Sequence, residues 1–591
     1  MSNAKRTGII SGVNGPIIYL KGNTGFKISE MVYVGPDQLV GEVINLTKDT
    51  TTVQVYEETT GLKPGDEVTA TGDAISVTLG PGILHNIFDG IERPLSEIAR
   101  QSGTYISRGV HVSSLDTNRK WDVKMTVKDG DFVTGGTIIT ETQETTSILH
   151  KSMIPPGIEG YVANAVPDGS YTIEDTLLTV QTSDGTEVPV RLAQKWPIRI
   201  ARPTAARYPA SQPLITGQRI LDTLFPIAKG GTAAVPGGFG TGKTMTQHQI
   251  AKWANANIII YIGCGERGNE MTQVLEDFAD LIDPQTGNPL MDRTTLIANT
   301  SNMPVAAREA SIYTGLTLAE YYRDMGYDVA IMADSTSRWA EALRELSGRL
   351  EEMPAEEGFP AYLASRLSQF YERAGHMQNL NGSEGSVSII GAVSPQGGDF
   401  SEPVTQNTKR FVRCFWGLDK SLAYARHFPA IQWLTSYSEY LSDLSQWYTK
   451  NVAANFVDYR NQLMSILNQE SSLMEIVKLI GSDVLPDDQK LTLEIARVIR
   501  IGFLQQNAFH PEDTCVPMEK QYKMMEIILY LNGKCRDLIA LGMPMSILKE
   551  NDIFEKITSI KYDVPNNQPE LFENYHQAVD EFYEDVLRRN S

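Results

Sequence analysis

Long apolar runs are missing from this sequence, and so is any excess of positive charge. The longest run that suits a buried strand, residues 258–262, is far shorter than the roughly 20 apolar residues of a membrane-spanning helix. The formal net charge of −20 argues against nucleic acid as a main partner, because phosphate backbones attract basic surfaces. Composition therefore excludes a chain that spans a bilayer and disfavours one that binds nucleic acid.

Cysteine and histidine are also scarce. The four cysteines lie far apart without C-x-x-C spacing, and the eight histidines show no metal-ligand spacing. Reduced, buried thiols of a cytosolic protein are therefore expected, rather than a disulfide framework or a zinc site. With 591 residues the chain exceeds the size of one hydrophobic core, so three or four domains are expected.

The residue pattern changes several times along the chain. Short β-branched runs and glycine turns come first, a second β-rich block with period-two apolar residues follows, and strands then alternate with helices before a purely helical pattern. No strand is expected beyond residue 436. The sequence therefore predicts a multidomain chain: an N-terminal β-barrel (1–75), a connection (76–114), a β-rich block (115–194), a mostly parallel α/β domain (195–435) and a C-terminal helical bundle (436–591).

Residues 237–244 form a complete G-x-x-x-x-G-K-[ST] loop between a predicted strand, 232–235, and a predicted helix, 245–254. Backbone N–H groups of such a loop surround the phosphates of a nucleotide, and the helix N-terminus favours their negative charge. Lys243 is placed to reach the β- and γ-phosphates, and the Thr244 hydroxyl to ligate Mg²⁺. The pattern predicts a nucleotide site.

Two acidic residues follow predicted strands of the same domain. Glu266 comes shortly after strand 258–262, at the carboxyl edge where open α/β sheets bind ligands, and a carboxylate there can orient an attacking water. Asp334 ends the apolar run 328–333, as a Mg²⁺-organising carboxylate would. Each has a simpler interpretation: Glu266 as a surface-loop residue, Asp334 as part of a helix cap. Three interpretations of Arg267 stay open: it contacts phosphate, it contacts a neighbouring subunit, or it is a solvated residue of an exposed loop.

With these residues the sequence resembles the catalytic A subunits of V-type and A-type rotary ATPases over nearly its whole length. The stretches that carry the resemblance are residues 55–61, 79–83, 213–225, 298–309 and 333–342. The resemblance implies that the α/β domain is RecA-like and that the insertion 115–194 is the non-homologous (bulge) region of A subunits. Some eukaryotic members carry a cysteine in the phosphate loop, and this chain has none there.

The resemblance also implies roles for individual residues, with ATP or ADP and Mg²⁺ bound. Lys243, Glu266 and Arg267 correspond to catalytic residues, and Thr244 and Asp334 to metal ligands. Phe428 and Phe509 correspond to the aromatic walls of the adenine pocket, although sequence alone favours both as core residues and only the resemblance reverses that preference. The residues implied to bind nucleotide are Gly237, Gly238, Phe239, Gly240, Thr241, Gly242, Lys243, Thr244, Met245, Phe428 and Phe509.

The function implied by the resemblance is hydrolysis of Mg-ATP to ADP and phosphate without a covalent enzyme intermediate. Hydrolysis would drive rotation coupled to H⁺ or Na⁺ transport, with ATP synthesis as the reverse. The implied partners are a non-catalytic B subunit in an alternating A3B3 hexamer, which supplies an arginine finger, a D/F-type central stalk and a peripheral stalk. The chain would lie at the cytoplasmic face, in the soluble sector, and meet the membrane only through the complex.

Three other classes of protein carry a phosphate loop in an α/β domain. A homohexameric secretion-type or F-type-like ATPase would lack the 115–190 block. A nucleotide-holding structural subunit typically lacks the lysine or the glutamate, and both Lys243 and Glu266 are present. An RNA-translocating RecA-type helicase conflicts with the acidity of the chain.

Overall fold

A computed structural model describes residues 6–22, 25–103, 106–284 and 286–590. The chain divides into two compact units. The first contains the chain up to Pro209 together with Gly230–Thr232 and Ala256–Val412, and the second contains Ala210–Lys229, Ala233–Asn255 and the chain from Arg413 on. Within the described residues, no helix combines the length and the apolar character needed to cross a membrane.

A closed antiparallel barrel begins the first unit, with the strand order β1-β2-β5-β4-β3-β6. Its strands are β1 Thr7–Asn14, β2 Ile17–Lys21, β3 Glu30–Val34, β4 Leu39–Leu46, β5 Thr50–Val55 and β6 Glu67–Ala74. Apolar side chains such as Ile18, Val32 and Val53 alternate inward and fill the barrel. The predicted small barrel is confirmed.

The connection that follows contributes strands to neighbouring elements. It contains β7 Ser76–Leu79, β8 Ile87–Phe88 and α1 Leu95–Ser102. Two residues are too few for a periodic pattern, so the sequence did not reveal β8.

The β-rich insertion forms two four-stranded antiparallel sheets, ordered β10-β13-β15-β16 and β12-β11-β9-β14. Its strands are β9 Trp121–Met125, β10 Phe132–Val133, β11 Ile138–Gln143, β12 Leu149–Met153, β13 Gly160–Ala163, β14 Gly169–Tyr171, β15 Thr176–Gln181 and β16 Glu187–Arg191. The period-two prediction is confirmed by Trp121, Val123 and Val127, which are buried. The insertion is followed by β17 Gln194–Pro197, which pairs with β7, and by β18 Ala206–Tyr208.

Strands and helices then alternate, as predicted. The elements are β19 Thr232–Pro236, α2 Lys243–Trp253, β20 Ile258–Glu266, α3 Gly268–Asp280, β21 Thr294–Thr300, α4 Val305–Asp324, β22 Asp328–Asp334, α5 Thr336–Arg349, α6 Leu363–Glu372, β23 Gly375–Gln378, β24 Glu384–Val393, α7 Pro403–Lys409, β25 Cys414–Phe415, α8 Lys420–Tyr424, β26 Tyr437–Ser438 and α9 Leu441–Asn451. The prediction that strands end before residue 436 is wrong for β26, a two-residue strand paired with β25.

In the first unit these strands form a parallel sheet with the order β24-β22-β20-β21-β8, and β23 joins β24 antiparallel. The strands β20 and β22 are almost continuously apolar and buried, and helix α4 is buried along nearly its whole length. Such burial is typical of a parallel sheet covered by helices. In the second unit, β19 pairs parallel with β25.

The chain ends in helices, as predicted. These are α10 Phe456–Ile480, α11 Asp487–Val498, α12 Met518–Ala540, α13 Met545–Leu548, α14 Ile553–Asp563 and α15 Phe572–Asn590. Leu463, Ile466 and Leu467 are buried, whereas Met474, which has the same helical spacing, is 38% exposed. The fold class is confirmed, and the residue limits of the domains stay predictions.

Short turns of other helix types complete the chain. Among the described residues, the π-helices are Ile220–Leu224 and Ile499–Leu504, and the 3₁₀ helices are Leu290–Arg293, Glu356–Gly358, Gln396–Gly398 and Pro569–Leu571.

Candidate functional site

The phosphate loop lies between β19 and α2 in the second unit. Gly240 and Gly242 have φ angles of 78° and 88°, a left-handed conformation that glycine adopts without strain. At Gly237 a Cβ atom would stand 2.5 Å from Oγ1 of Thr241 and 2.8 Å from Cβ of Leu418. These three glycines are therefore required by backbone conformation or by close packing.

Lys243 folds back over the loop. Its Nζ donates hydrogen bonds to the carbonyl oxygens of Gly237 at 2.8 Å and Gly238 at 3.1 Å. The Thr241 hydroxyl also donates to Gly238, at 2.8 Å, and its side chain is buried under the loop. The ammonium thus lies against the loop that precedes the N-terminus of α2, where a bound phosphate is favoured.

The remaining loop residues differ in exposure. Thr244 lies half-buried in the first turn of α2, and Met245 beside it is exposed. Phe239 is 83% exposed at the loop surface. The nucleotide-binding roles of all these residues stay predictions.

Phe428 and Phe509 also belong to the second unit. The ring of Phe428 approaches to 3.7 Å from the position that a Cβ on Gly242 would take. The segment that carries Phe509 is hydrogen-bonded to the segment that carries Phe428, because the Gln506 N–H donates to the Phe428 carbonyl at 2.8 Å. The two phenylalanines are 43% and 88% exposed, so neither is a core residue. An exposed aromatic beside the phosphate loop, Phe428, and a second on the segment bound to it, Phe509, favour the base-stacking role.

In the first unit, Glu266 and Asp334 end adjacent parallel strands. Gly263 of β20 pairs with Asp334 of β22, and Glu266 follows three residues later. Gly265, with a φ of 73°, lies where the register between β20 and β21 shifts. A Cβ there would stand 2.6 Å from Cβ of Arg338, so only glycine lets this strand end pass helix α5. The structure therefore brings the two predicted acids to one sheet edge.

Glu266 has an unusual electrostatic environment. Burial, the nearby carboxyl of Asp334 and the carboxyl of Glu270 together raise the pKa of Glu266 to about 8, although Arg338 opposes the shift. A half-buried carboxyl with a raised pKa at a strand end is typical of a functional group. The interpretation of Glu266 as an ordinary surface residue is disfavoured.

Asp334 is 3% exposed and accepts a hydrogen bond from the hydroxyl of Tyr261. The N-cap residue of α5 is Ser335, and within the described residues its side chain makes no capping hydrogen bond. Asp334 precedes this position and is therefore not itself the N-cap residue of α5.

The donor types of Thr244 and Asp334 fit Mg²⁺. Mg²⁺ prefers oxygen ligands and is usually held by one or two protein groups together with phosphates and water. Among the residues that the structure describes, no group of three or more His, Cys, Asp and Glu side chains could hold a metal. A phosphate-bound Mg²⁺ does not require such a group.

Arg267 is the exposed N-cap residue of α3, and its catalytic role stays a prediction. Three neighbours of the acidic edge were not predicted: Tyr261, Glu270 and Arg338. No local sequence pattern identifies them, and all three are recognised only from the folded strand and helices.

Family models match four segments of the chain. They are the beta-barrel domain of the ATP synthase alpha/beta family at residues 10–72, the ATP synthase alpha/beta subunit barrel-sandwich domain at 112–199, the nucleotide-binding domain of the same family at 217–438, and the C-terminal domain of V and A type ATP synthase at 445–538.

Known relatives match the chain over its full length. The V-type ATP synthase alpha chain of Halothermothrix orenii is 58% identical over 98% of each chain, and the A subunit of the A-type ATP synthase of Methanopyrus kandleri is 54% identical over 100% of each. The assembled ATPase EscN of the enteropathogenic E. coli type III secretion system has a TM-score of 0.64, with 88% of this chain and 99% of that chain covered. Its identity is 21%, so this likeness concerns the fold alone. The chain belongs to the family of V-type ATP synthase alpha chains and A-type ATP synthase A subunits.

Proposed function

We propose that this chain is the catalytic subunit of a V-type or A-type rotary ATPase, which binds Mg-ATP and hydrolyses it to ADP and phosphate. Hydrolysis drives rotation coupled to the transport of H⁺ or Na⁺, and ATP synthesis is the reverse reaction. The chain acts at the cytoplasmic face of the membrane, in the peripheral soluble sector of the complex.

One observation carries this proposal. A member of the ATP synthase family retains an unbroken phosphate loop together with Glu266, a half-buried acid that ends a strand beside the strand of Asp334. A carboxylate at this edge can orient and polarise an attacking water, a role that a subunit which only holds nucleotide does not need. The close relatives and the acidic composition also leave no support for a secretion ATPase or a helicase.

The mechanism follows from the chemistry of each group. The loop amides and Lys243 hold the triphosphate and spread the negative charge that develops on the γ-phosphoryl group. Glu266 orients the water that attacks in line and takes up its proton. Thr244 and Asp334 would hold Mg²⁺, which when bound neutralises charge on the phosphate oxygens. Phe428 and Phe509 stack on the base, as family membership suggests.

A positive charge from outside the chain completes the site. The resemblance to the family implies that this charge is an arginine of the non-catalytic B subunit, which alternates with this chain in an A3B3 hexamer. An arginine finger raises the rate of nucleotide hydrolases by roughly 10³–10⁵-fold. The central and peripheral stalks are the remaining proposed partners, and Arg267 is proposed to contact phosphate or the neighbouring subunit.

Reconstitution tests the proposal. The purified chain is expected to bind ATP but to turn it over slowly, and addition of the B-type partner should raise the rate by roughly 10³–10⁵-fold. Equal rates with and without the partner would contradict the proposal. Assays of the whole complex with and without Na⁺ distinguish the transported ion.

A further inference from the structure

A buried ion pair joins distant parts of the second unit. Arg219 and Asp513 lie 294 residues apart, and both side chains are 0% exposed. Nε of Arg219 also donates to the Phe503 carbonyl at 2.5 Å, and Nη2 donates to the Gln505 carbonyl at 2.8 Å. One guanidinium thus binds both ends of segment 503–513, which carries Phe509.

Gln506 extends this contact to the other phenylalanine. Its Oε1 accepts the backbone N–H of Arg219 at 2.9 Å, and its Nε2 donates to the Gly217 carbonyl at 2.8 Å. Its own backbone N–H donates to the Phe428 carbonyl at 2.8 Å. We call these three residues, Arg219, Gln506 and Asp513, the base-support network.

The loop that carries Phe509 is closed from within by the same network. Oδ2 of Asp513 accepts the Asn507 N–H at 2.7 Å, and Oδ1 of Asn507 accepts the Phe509 N–H at 3.0 Å. The Phe509 ring itself is exposed, so its position is fixed by these backbone bonds rather than by packing. A carboxylate that accepts both a guanidinium and a backbone N–H holds such a loop firmly.

A second cation supports the start of the segment. Nζ of Lys561 donates to the carbonyl oxygens of Ile501 at 2.6 Å and Gln505 at 3.1 Å, at the C-terminal end of the π-helix Ile499–Leu504. Cations are favoured at helix C-termini, where carbonyl groups lack helical partners. Unlike Lys561, Arg219 also contacts Asp513, which closes the loop that carries Phe509. Arg219 contacts Gln506 as well, and Gln506 is bound to the Phe428 segment.

We propose that Arg219, acting through Asp513 and Gln506, is a positioning residue that sets Phe428 and Phe509 for the nucleotide base, and so gives ATP its binding advantage over a base-free triphosphate. The inference rests on the proposed function, because it takes the two phenylalanines as the base-binding walls. Arg219 is fully buried, so it acts through the two loops rather than on the nucleotide.

Two ligands separate base binding from phosphate binding. Mg-ATP and Mg-tripolyphosphate are titrated by calorimetry into the full-length chain and its Arg219→Lys variant, which keeps the charge but loses the planar fork. Because stacking of the base contributes to the binding free energy of ATP, the ATP affinity of Arg219→Lys should fall about tenfold, whereas its tripolyphosphate affinity should stay unchanged. An equal loss for both ligands, or no loss for either, overturns the inference.

A milder variant keeps the test open if Arg219→Lys fails to fold. Gln506→Met preserves side-chain length and the Arg219–Asp513 pair but removes the two side-chain hydrogen bonds of Gln506, and it should give the same selective loss of ATP affinity. The matched control is Gln521→Met. Gln521 is buried in the same unit and donates to Asp222 and Val516, so its loss should leave the ATP advantage intact. Loss of that advantage in the control also overturns the inference.

A further variant separates this inference from the proposed function. If Phe428→Ala binds ATP like the wild type, or if the wild type has no ATP advantage over tripolyphosphate, the base-binding assignment fails and the inference with it. If Phe428→Ala loses the advantage while Arg219→Lys and Gln506→Met keep it, only the inference is overturned.

Discussion

The hydroxyl of Tyr261 donates a hydrogen bond to Oδ2 of Asp334 across 3.2 Å, between adjacent parallel strands. Both residues are buried, so water does not compete for this bond. The bond fixes one oxygen of the acid that we propose as a Mg²⁺-organising group. A tyrosine inside the sheet therefore orients a carboxylate at its edge.

Tyr261→Phe tests this relationship. The variant keeps the ring and removes the donor, and one hydrogen bond is worth about 1 kcal/mol, so the Mg²⁺ concentration for half-maximal hydrolysis should rise about fivefold. A Mg²⁺ titration of ATP hydrolysis by the assembled complex measures the change. Tyr321→Phe is the control, since that buried hydroxyl meets His150 instead. An unchanged Mg²⁺ requirement in Tyr261→Phe would show that the bond does not matter.

Glu266→Gln separates binding from catalysis. The amide keeps the size of the side chain but loses its basicity, so hydrolysis should fall by about 10²–10⁴-fold while ATP affinity is retained. Single-turnover rates and ATP titrations report the two quantities. Glu276→Gln, an exposed substitution on the following helix, should change neither. Wild-type turnover in Glu266→Gln would remove this residue from the mechanism.

Gly237→Ala tests the close packing of the phosphate loop. The new Cβ would meet Thr241 at 2.5 Å and Leu418 at 2.8 Å, and such overpacking should weaken ATP binding about tenfold or more. Gly348→Ala is the matched control: no described atom outside its own helix lies within 4 Å of its added Cβ, near the end of helix α5. There alanine should stabilise the helix by about 1 kcal/mol without changing ATP affinity. Normal ATP affinity in Gly237→Ala would mean that the loop relaxes freely.

The sequence predicts best where a periodic pattern or a motif is local. The strand before the phosphate loop, the loop itself and the helix after it are found nearly at the predicted residues. Strand β20 runs four residues further than predicted, because Gly263 and Gly265 carry no apolar pattern even though they extend the strand. Glycine there is dictated by close contacts with Met271 and Arg338, and those contacts exist only in the folded chain.

The sequence did not predict which residues that lie far apart in the chain contact each other in the fold. Arg219 lies in a stretch that supports the family resemblance, yet nothing local indicates that its partner is Asp513.

Helical spacing predicts which residues share one face of a helix, but it does not predict whether that face is buried. Met474 continues the phase of Leu467 but lies exposed toward the end of α10, because helices pack against only part of that length. Phase follows from local geometry, whereas burial depends on what the rest of the chain covers.

Glu144 is a buried acid at the meeting of three segments of the first unit. Its Oε1 accepts hydrogen bonds from the Gly82 N–H at 2.9 Å, the Leu84 N–H at 3.0 Å and the Tyr322 hydroxyl at 2.9 Å. Burial raises the pKa of Glu144 from 4.5 to about 7, although these hydrogen bonds oppose the shift. The folded chain therefore holds a proton that the unfolded chain releases at lower pH.

The pH dependence of stability should report this proton. Below pH 4.5 both states are protonated. Between pH 4.5 and 7 only the unfolded state loses the proton, so stability falls as pH rises, by up to about 3 kcal/mol for a pKa difference of about 2.5. Glu144→Gln should remove this fall, because its amide oxygen still accepts the backbone N–H groups and never ionises. Urea midpoints from pH 5 to 8 measure the effect, with Glu141→Gln on the same segment as the control. Parallel curves for wild type and Glu144→Gln would mean that the buried carboxyl ionises without cost to the fold.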